Sequence, residues 1–400
     1  MPRLSDSGSC CRLLWGPCSK TRSHSLIFVS FNADLQDRPL WARIVIGNTR
    51  TLRVPPSDRT ARTVTMRDVA RAAGVSRMTV SRALKKDSPV SQETRDRILK
   101  VVRDMNYVPD QVAGSLTTRK TGFVAVLVPS LNNLHFAETV QALTEELETL
   151  GLQILLGHTD YSADREEQIV ETMLRRRPEA MVLSYDGHSE RTRVLLQDAG
   201  IPVIELWERP DDPIGHTIGF SNRAAAAEMT HALIAQGYRN IAFLGEEGDD
   251  WTRGSERRAG FCAAMRAAGL SDHRILRAGK PPMSIEDGAA ALPDLLDRFA
   301  DTDCVFCVSD APAFGVLSAL KARGIEVPAD IGVAGFGNFE VSRFSAPTIS
   351  TVMVDPRRIG REAGRLLGRL LAGDDGKDAH LRVDVSAVPK MRGSTKALKN

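Results

Sequence analysis

Residues 65–84 read TMRDVARAAGVSRMTVSRAL, and their spacing builds two short helices around a tight turn. Thr65 can cap a helix whose apolar positions Val69, Ala70 and Ala73 fall on one face. Gly74 supplies the left-handed residue that stops it. Ser76 can cap a second helix over Arg77–Leu84, with Val80, Ala83 and Leu84 inward and Arg77, Met78, Ser81 and Arg82 outward. Two such helices joined by a glycine-containing turn form a helix-turn-helix. Pro89 ends the next loop and Ser91 can cap a third helix to about Met105, where Ile98, Val101, Val102 and Met105 make the apolar stripe that covers the first two.

The outward side chains at the start of the second helix suit a DNA major groove. Arginine can bond both acceptors on a guanine edge and methionine can pack on a thymine methyl, each good pair supplying about 1–3 kcal/mol of discrimination. Arg77, Met78 and Arg82 are therefore the candidate base readers. Thr79, Ser81 and Ser91 are placed to donate to phosphates, which sets register and not sequence. The bland alternative, a small module that binds protein, would favour aromatic anchors on this face.

Charge along the chain supports a polyanion partner for this end. Residues 1–60 carry nine basic and four acidic side chains, residues 61–120 carry 13 and six, and residues 121–400 carry 31 and 40. A basic block thus precedes an acidic body. Residues 1–62 mix Cys, Trp, Pro, Ser and Arg without helical or strand periodicity and read as a disordered or mis-annotated extension. The cysteines of the main body, at 262, 304 and 307, are too few for a disulfide framework. No stretch approaches the roughly 18 apolar residues of a membrane helix, and no cleavage pattern follows Leu26–Phe31, so a cytoplasmic protein is expected.

From Phe123 the texture alternates between short apolar runs such as 123–128, 180–183, 203–206, 241–244, 304–308 and 331–334 and amphipathic stretches such as 136–150, 224–236 and 257–268. Alternating strands and helices predict parallel sheets covered on both faces. A region of this length divides into two similar lobes, and ligands collect beyond the carboxyl ends of such strands. Those positions hold Ser130–Phe136, Glu205 to Trp207, Asp310, and Phe336, Gly337 and Asn338. Polar groups for hydroxyls beside aromatic faces for C–H groups suit a sugar or sugar acid.

The helix-turn-helix run Thr65 to Arg82 resembles the LacI-family signature, and Val90-Ser91, Thr94-Arg95 and Asn106-Tyr107-Val108-Pro109 continue it without a gap. The resemblance implies that Asp110–Thr117 is a hinge helix that orders on the operator and wedges Leu116 into the minor groove, kinking the duplex. Gly114 stands where many relatives carry arginine, which weakens the free hinge. The larger region resembles the periplasmic-binding-protein type I core of the same family. Arg257-Arg258-Ala259-Gly260-Phe261 matches the run that begins with the effector-gripping arginine, Arg257, and Asp310 matches an aspartate that binds ligand hydroxyls. Val308-Ser309-Asp310 departs from the usual Ala-Asn-Asp. Val128 to Asn133, Phe136-Ala137-Glu138, Pro202 to Leu206, Ile218 to Asn222 and Ala334-Gly335-Phe336 are most similar to gluconate-operon repressors. The implied effector set is Asn133, Phe136, Glu205, Asn222, Arg257, Asp310, Phe336 and Asn338, with Arg257 on a carboxylate and Glu205 and Asp310 on hydroxyls.

The expected architecture is a small all-α helix-turn-helix domain at 63–109, a hinge helix and linker at 110–120, and a two-lobed α/β effector and dimerisation domain at 121–400. Its expected partners are double-stranded operator DNA, a sugar or sugar-acid effector and a second copy of the chain. Only Lys396–Asn400 follow Thr395, short of the leucine heptad helix by which some relatives form tetramers, so a homodimer is expected. No cofactor, metal or catalytic group is assigned. Gly335-Phe336-Gly337 reads as a turn because Glu340 replaces the third glycine of a dinucleotide fingerprint. Cys304 and Cys307 lie in a strand and read as core, and the acidic triplet Asp164, Glu166 and Glu167 reads as an exposed helix face. The alternatives are a free sugar-binding protein without operator function, a sugar-converting enzyme, and a regulator that answers a different sugar or a phosphorylated metabolite.

Arg77→Ala should relax base preference at one operator position and weaken specific binding by about 1–3 kcal/mol. Competition titrations against point-mutated sites check this, and an equal loss on random DNA would refute the assigned role.

Overall fold

Why the basic module folds is visible in its caps. The computed structural model describes residues 28–30, 43–45, 64–84, 89–109, 121–184, 187–248, 252–373 and 380–397. They fall into two units, Met1–Asp110 and Gln111–Asn400. In the first, α1 (Met66–Ala73), α2 (Arg77–Ala83) and α3 (Gln92–Asp104) each begin at a hydroxyl residue. The Thr65 backbone N–H donates to Asp68 Oδ2 at 3.0 Å, Ser76 Oγ accepts from Thr79 N at 3.1 Å, and Ser91 Oγ accepts from Thr94 N at 3.4 Å. Each satisfies a donor that the helix start would leave open, and a lost cap costs about 1 kcal/mol. Gly74, at φ 65°, ends α1 in the left-handed conformation. The core is Val69, Ala70, Ala73, Val80, Ala83 and Ile98, joined by Tyr107 beyond α3. This unit also holds a short antiparallel pair, β1 (Phe28–Ser30) with β2 (Arg43–Val45), inside the stretch in which no periodicity is legible. The remainder of residues 1–62, and the hinge with Gly114 and Leu116, lie outside the described residues.

The second unit contains two six-stranded sheets. The first lobe takes β3 (Phe123–Val128), α4 (Leu134–Thr149), β4 (Gln153–His158), α5 (Ala163–Leu174), β5 (Met181–Ser184), α6 (Glu190–Asp198), β6 (Val203–Leu206) and β7 (His216–Gly219). The chain then enters the second lobe with α7 (Asn222–Ala235), β8 (Ile241–Gly245), α8 (Arg253–Ala267), β9 (Ile275–Arg277), α9 (Ile285–Arg298) and β10 (Cys304–Cys307). That lobe continues through α10 (Asp310–Ala322), β11 (Gly332–Gly337), α11 (Glu340–Phe344) and β12 (Ser350–Met353). α12 (Pro356–Ala372) returns to pack on α4, β13 (Arg382–Asp384) joins the first sheet, and β14 (Val388–Lys390) joins the second. The strand orders are β13-β7-β6-β5-β3-β4 and β14-β12-β11-β10-β8-β9, parallel except where β14 meets β12. The chain therefore crosses between lobes three times, near residues 220, 355 and 386.

Strands such as FVAVLV in β3 are apolar throughout because helices cover both faces of a parallel sheet. Cys304 and Cys307 are buried in β10, as expected, and burial pushes their thiols well up in pKa. Gly335-Phe336-Gly337 forms the end of β11, a correction to its reading as a turn. The glycines permit the close approach that strand makes to α10, where a Cβ at Gly335 would lie 2.3 Å from Asp310 Oδ1.

α12 carries Pro356 at its first turn and Gly360, Gly364 and Gly368 on one side. That side presses on α4, where a Cβ at Gly360 would stand 2.2 Å from the Thr139 carbonyl oxygen. Gly360→Ala should lower stability by about 2–3 kcal/mol through overpacking against backbone. Gly368→Ala meets only Leu150 methyls, the nearest at 3.4 Å, and should leave the thermal midpoint unchanged or raise it. Equal midpoints for the two variants in thermal melts would refute this account of the seam.

Candidate functional site

The first site is the outer face of α2. Arg77, Met78 and Arg82 are exposed, Met78 to 62%, while Val80 and Ala83 on the opposite side are buried. An exposed methionine on a small helical module is available for contact with another molecule. Thr79 and Ser81 are half-buried and Ser91 is exposed. The Thr79 and Ser76 hydroxyls are 2.9 Å apart at the N-terminus of α2, and Ser91 Oγ donates to Thr94 Oγ1 at 2.9 Å at the start of α3. Two helix N-termini with hydroxyls are therefore available to phosphate oxygens.

The second site is a cavity of about 290 Å³ between the lobes. That is near the small end of the ~300–1,000 Å³ range of small-molecule pockets and fits a monosaccharide-sized ligand. The first lobe contributes Asn132, Asn133, His135, Phe136, Tyr161 and Trp207, and the second contributes Glu246, Thr252, Arg253, Arg257, Ser309, Phe336 and Phe339 among others. Four expected effector residues, Asn133, Phe136, Arg257 and Phe336, are thus on the wall. Asn133 also caps α4, its Oδ1 accepting from His135 N at 3.0 Å.

Arg257 is held on three sides. Its Nε donates to Asn222 Oδ1 at 2.8 Å, its Nη1 donates to the Val308 carbonyl at 2.8 Å, and its guanidinium lies 3.8 Å from the centre of the Phe336 ring. Burial and the like charge of Arg253 lower its pKa to about 10, so it remains a cation at neutral pH. Arg253, one helical turn earlier, donates to Ser184 Oγ at 2.8 Å from the other lobe and lies 5.0 Å from the Phe136 ring centre. His135 is stacked between Phe339, 3.8 Å away, and Trp207, 5.6 Å away. Burial, then the charge of Arg257, depresses its pKa to about 3, so this wall is a neutral aromatic surface. The Trp207 indole N–H, buried in the wall residue, has no acceptor among the described residues.

The other four expected effector residues do not line the cavity; they brace it. Asn222 Nδ2 donates to the Trp207 carbonyl at 3.1 Å and to Glu208 Oε2 at 2.8 Å, so its amide positions Arg257. Asp310 accepts from Thr351 Oγ1 at 2.6 Å and from Phe339 N at 2.7 Å, which fixes the loop carrying Phe339. Burial raises the Asp310 carboxyl to about 6 despite these donors. Asn338 accepts from Arg392 Nη2, and its N–H donates to Thr351 Oγ1 at 3.2 Å. Glu205 is fully buried and accepts from Ile214 N at 2.7 Å and Gly215 N at 3.2 Å. Placement after a strand selects residues near a cleft, but rotamer and partner decide which of them face it.

Arg253, Glu246 and Tyr161 escaped the sequence reading, whereas His135 lies within the run Ser130–Phe136 that the reading placed beside the ligand. Arg253 sits one helical turn before Arg257, which is a signal that an arginine pair at i and i+4 would have provided. Glu166 corrects the expectation of an exposed acidic face: it is 5% exposed and bonds His188 Nδ1 at 2.7 Å. His188 Nε2 is 3.5 Å from Glu205 Oε1, so an enclosed imidazole lies between two carboxyl groups.

The family described as "Bacterial regulatory proteins, lacI family" matches residues 65–110, and the "Periplasmic binding protein-like domain" matches residues 230–395. Over 313 residues the chain is 32% identical to the HTH-type transcriptional regulator IdnR of Escherichia coli (strain K12), covering 78% of this chain and 93% of that one. It is 32% identical over 331 residues to the HTH-type transcriptional regulator GntR of Pseudomonas aeruginosa, covering 82% and 96%. A crystal structure of a LacI family transcriptional regulator from Silicibacter pomeroyi superposes with a TM-score of 0.66 at 61% identity, covering 69% of this chain and 99% of that one.

Burial alone lowers the His188 pKa, but the bonds and charges of Glu166 and Glu205 outweigh it and raise the value from 6.5 to about 9. A raised folded-state pKa adds stability that is fully present below pH 6.5 and is lost as pH rises through about 9. The wild type should therefore lose about 3 kcal/mol between pH 6.5 and 9.5 from this group, and His188→Gln should flatten that decline. Denaturant titrations at both pH values check this; parallel losses in the two proteins would overturn it.

Proposed function

The chain belongs to the LacI family of bacterial regulatory proteins and is a DNA-binding transcription regulator, and from that premise we propose that it is a cytoplasmic homodimeric repressor controlled by a small sugar acid, gluconate first among the candidates. The observation that carries the effector class is the pair of guanidinium groups, buried Arg253 and half-buried Arg257, on the wall of a monosaccharide-sized cavity. A bound carboxylate would meet charge-assisted donors there, while Phe136, Phe336 and Trp207 face the C–H groups and Asn132, Asn133 and Ser309 meet hydroxyls. The orphan Trp207 N–H offers a further donor. Glu205, Asn222, Asp310 and Asn338 act through the residues they hold. The guanidinium and aromatic groups bind without exchanging protons at neutral pH, and the Glu246 carboxyl on the same wall accepts from Thr252 Oγ1, so we read this as a binding site and not a catalytic one.

In this reading residues 63–109 read DNA, 110–120 form the hinge and 121–400 bind effector and the second subunit. Two α2 helices enter neighbouring major-groove half-sites, Arg77, Met78 and Arg82 read bases, Thr79, Ser81 and Ser91 hold phosphates, and Leu116 wedges the minor groove between them. The names of the relatives, IdnR and GntR, belong to regulators, which supports the first half of the proposal.

An effector shifts this equilibrium only through different affinities for the operator-bound and free states. Titration calorimetry of gluconate into the full chain, with and without operator DNA, should therefore give weaker gluconate binding on DNA, by the same factor that gluconate weakens operator binding. Equal affinities in the two titrations would remove gluconate as the controlling ligand.

A further inference from the structure

Glu208 is a buried carboxyl group just beyond β6 that is not part of the cavity wall. Its hydrogen-bond partners are all donors. Oε1 accepts from Arg209 N at 3.0 Å and from Asn222 N at 3.3 Å, and Oε2 accepts from Asn222 Nδ2 at 2.8 Å. Burial raises the pKa of this carboxyl, and the Arg209 and Asn222 donors lower it in part. The fully buried Asn222 side chain has only one workable orientation between its neighbours. The Glu208 carboxylate can only accept and the Arg257 Nε–H can only donate, so the amide nitrogen faces Glu208 and the amide oxygen faces Arg257. The same nitrogen donates to the Trp207 carbonyl at 3.1 Å. Trp207 depends on such a hold. At φ 72° it occupies the left-handed region, which a bulky residue keeps only where its surroundings enforce it. Its N–H donates to the Ile218 carbonyl at 3.0 Å, and Gly219 leaves room for the turn, since a Cβ there would lie 2.9 Å from the Trp207 carbonyl carbon.

We infer that Glu208 is a positioning residue for the effector site: through the Asn222 amide it holds two wall residues in place, Arg257 of the second lobe and Trp207 of the first. The inference rests on the sugar-acid reading above and deepens it, since it names the group that sets the site's cation and one of its aromatic rings without touching the ligand. The role requires two acceptor oxygens. In Glu208→Gln the side-chain NH2 must face either the Arg209 and Asn222 backbone N–H groups or the Asn222 amide nitrogen, and each choice sets donor against donor. If the Asn222 amide turns over to escape, its nitrogen meets the Arg257 Nε–H and its oxygen meets the Trp207 carbonyl, so both wall residues lose their bond at once. A supporting group of this kind acts by holding the binding geometry before the ligand arrives.

The test is a double-mutant cycle in the full chain, read by titration calorimetry carried to millimolar gluconate. Glu208→Gln and Asn222→Ala should each weaken gluconate binding by about tenfold or more. Glu208→Gln added to Asn222→Ala should change the affinity by less than about twofold, because the amide through which Glu208 acts is already gone. A merely structural role would lower affinity equally in both backgrounds. Thermal melting reports whether each variant folds. Glu208→Asp, which keeps both acceptor oxygens and draws them back by one methylene, carries the same expectation should the glutamine variant fail. Unchanged gluconate binding in Glu208→Gln, or equal losses with and without Asn222, overturns the role of Glu208 alone. Failure of the wild type to bind gluconate overturns the sugar-acid reading and this inference with it.

Discussion

A guanidinium removed from water must be solvated by the protein, and Arg257 is solvated by parts of the chain that meet only in the folded second unit. Asn222 from the first crossover, the Val308 carbonyl from the end of β10 and the Phe336 ring from β11 converge on it. Burying a charge without such partners would cost several kcal/mol. The charge therefore ties the first crossover to the second sheet and sets the electrostatic character of the cleft. Asn222 extends the chain of contacts to Glu208 and the Trp207 carbonyl, so the aromatic wall in the first lobe shares the same support.

Around this charge the lobes are joined by complementary contacts. Arg253 reaches Ser184 across the cleft, and His135 of the first lobe stacks on Phe339 of the second. Asp310 holds Phe339 in place from below, through its backbone N–H. The bracing residues are nearly all buried and hydrogen-bonded, which is what a site requires if it is to hold one geometry before a ligand arrives. Three crossings between lobes restrict their relative movement to a hinge-like change, and such a change is the kind of two-state element through which a ligand in the cleft can alter binding elsewhere.

The helical module works by local rules. Its three caps, its glycine stop and its small apolar core are separated by a few residues each, so propensity, capping and pattern all favour the same structure. That consistency leaves the outer face of α2 free to carry polar and basic side chains without weakening the fold.

The helix-turn-helix, its outward residues Arg77, Met78 and Arg82, the alternation of strands and helices and the identity of Arg257 were legible in the sequence, because each depends on short-range spacing or on a recognisable run. α12 was not legible: its three glycines oppose helix formation by about 1 kcal/mol each, and only the close approach to α4 makes Gly360 and Gly364 favourable. The short strands β13 and β14, with their charged and proline residues, exist because a sheet edge is there to receive them. The cleft was legible as a set of strand ends but not as a surface. Glu205, Asn222, Asp310 and Asn338 follow strands as Phe136 and Phe336 do, yet they turn toward buried partners. Glu166, in an acidic run that reads as solvated, is drawn inward by His188 from a different loop. The sequence by itself determined the helix-turn-helix with its caps and most of the alternating strands and helices that follow, since those obey periods of two and 3.6 residues and local hydrogen bonds. Only the tertiary structure decided which polar groups face the ligand and which support it, because burial and partner geometry arise between residues far apart in the chain.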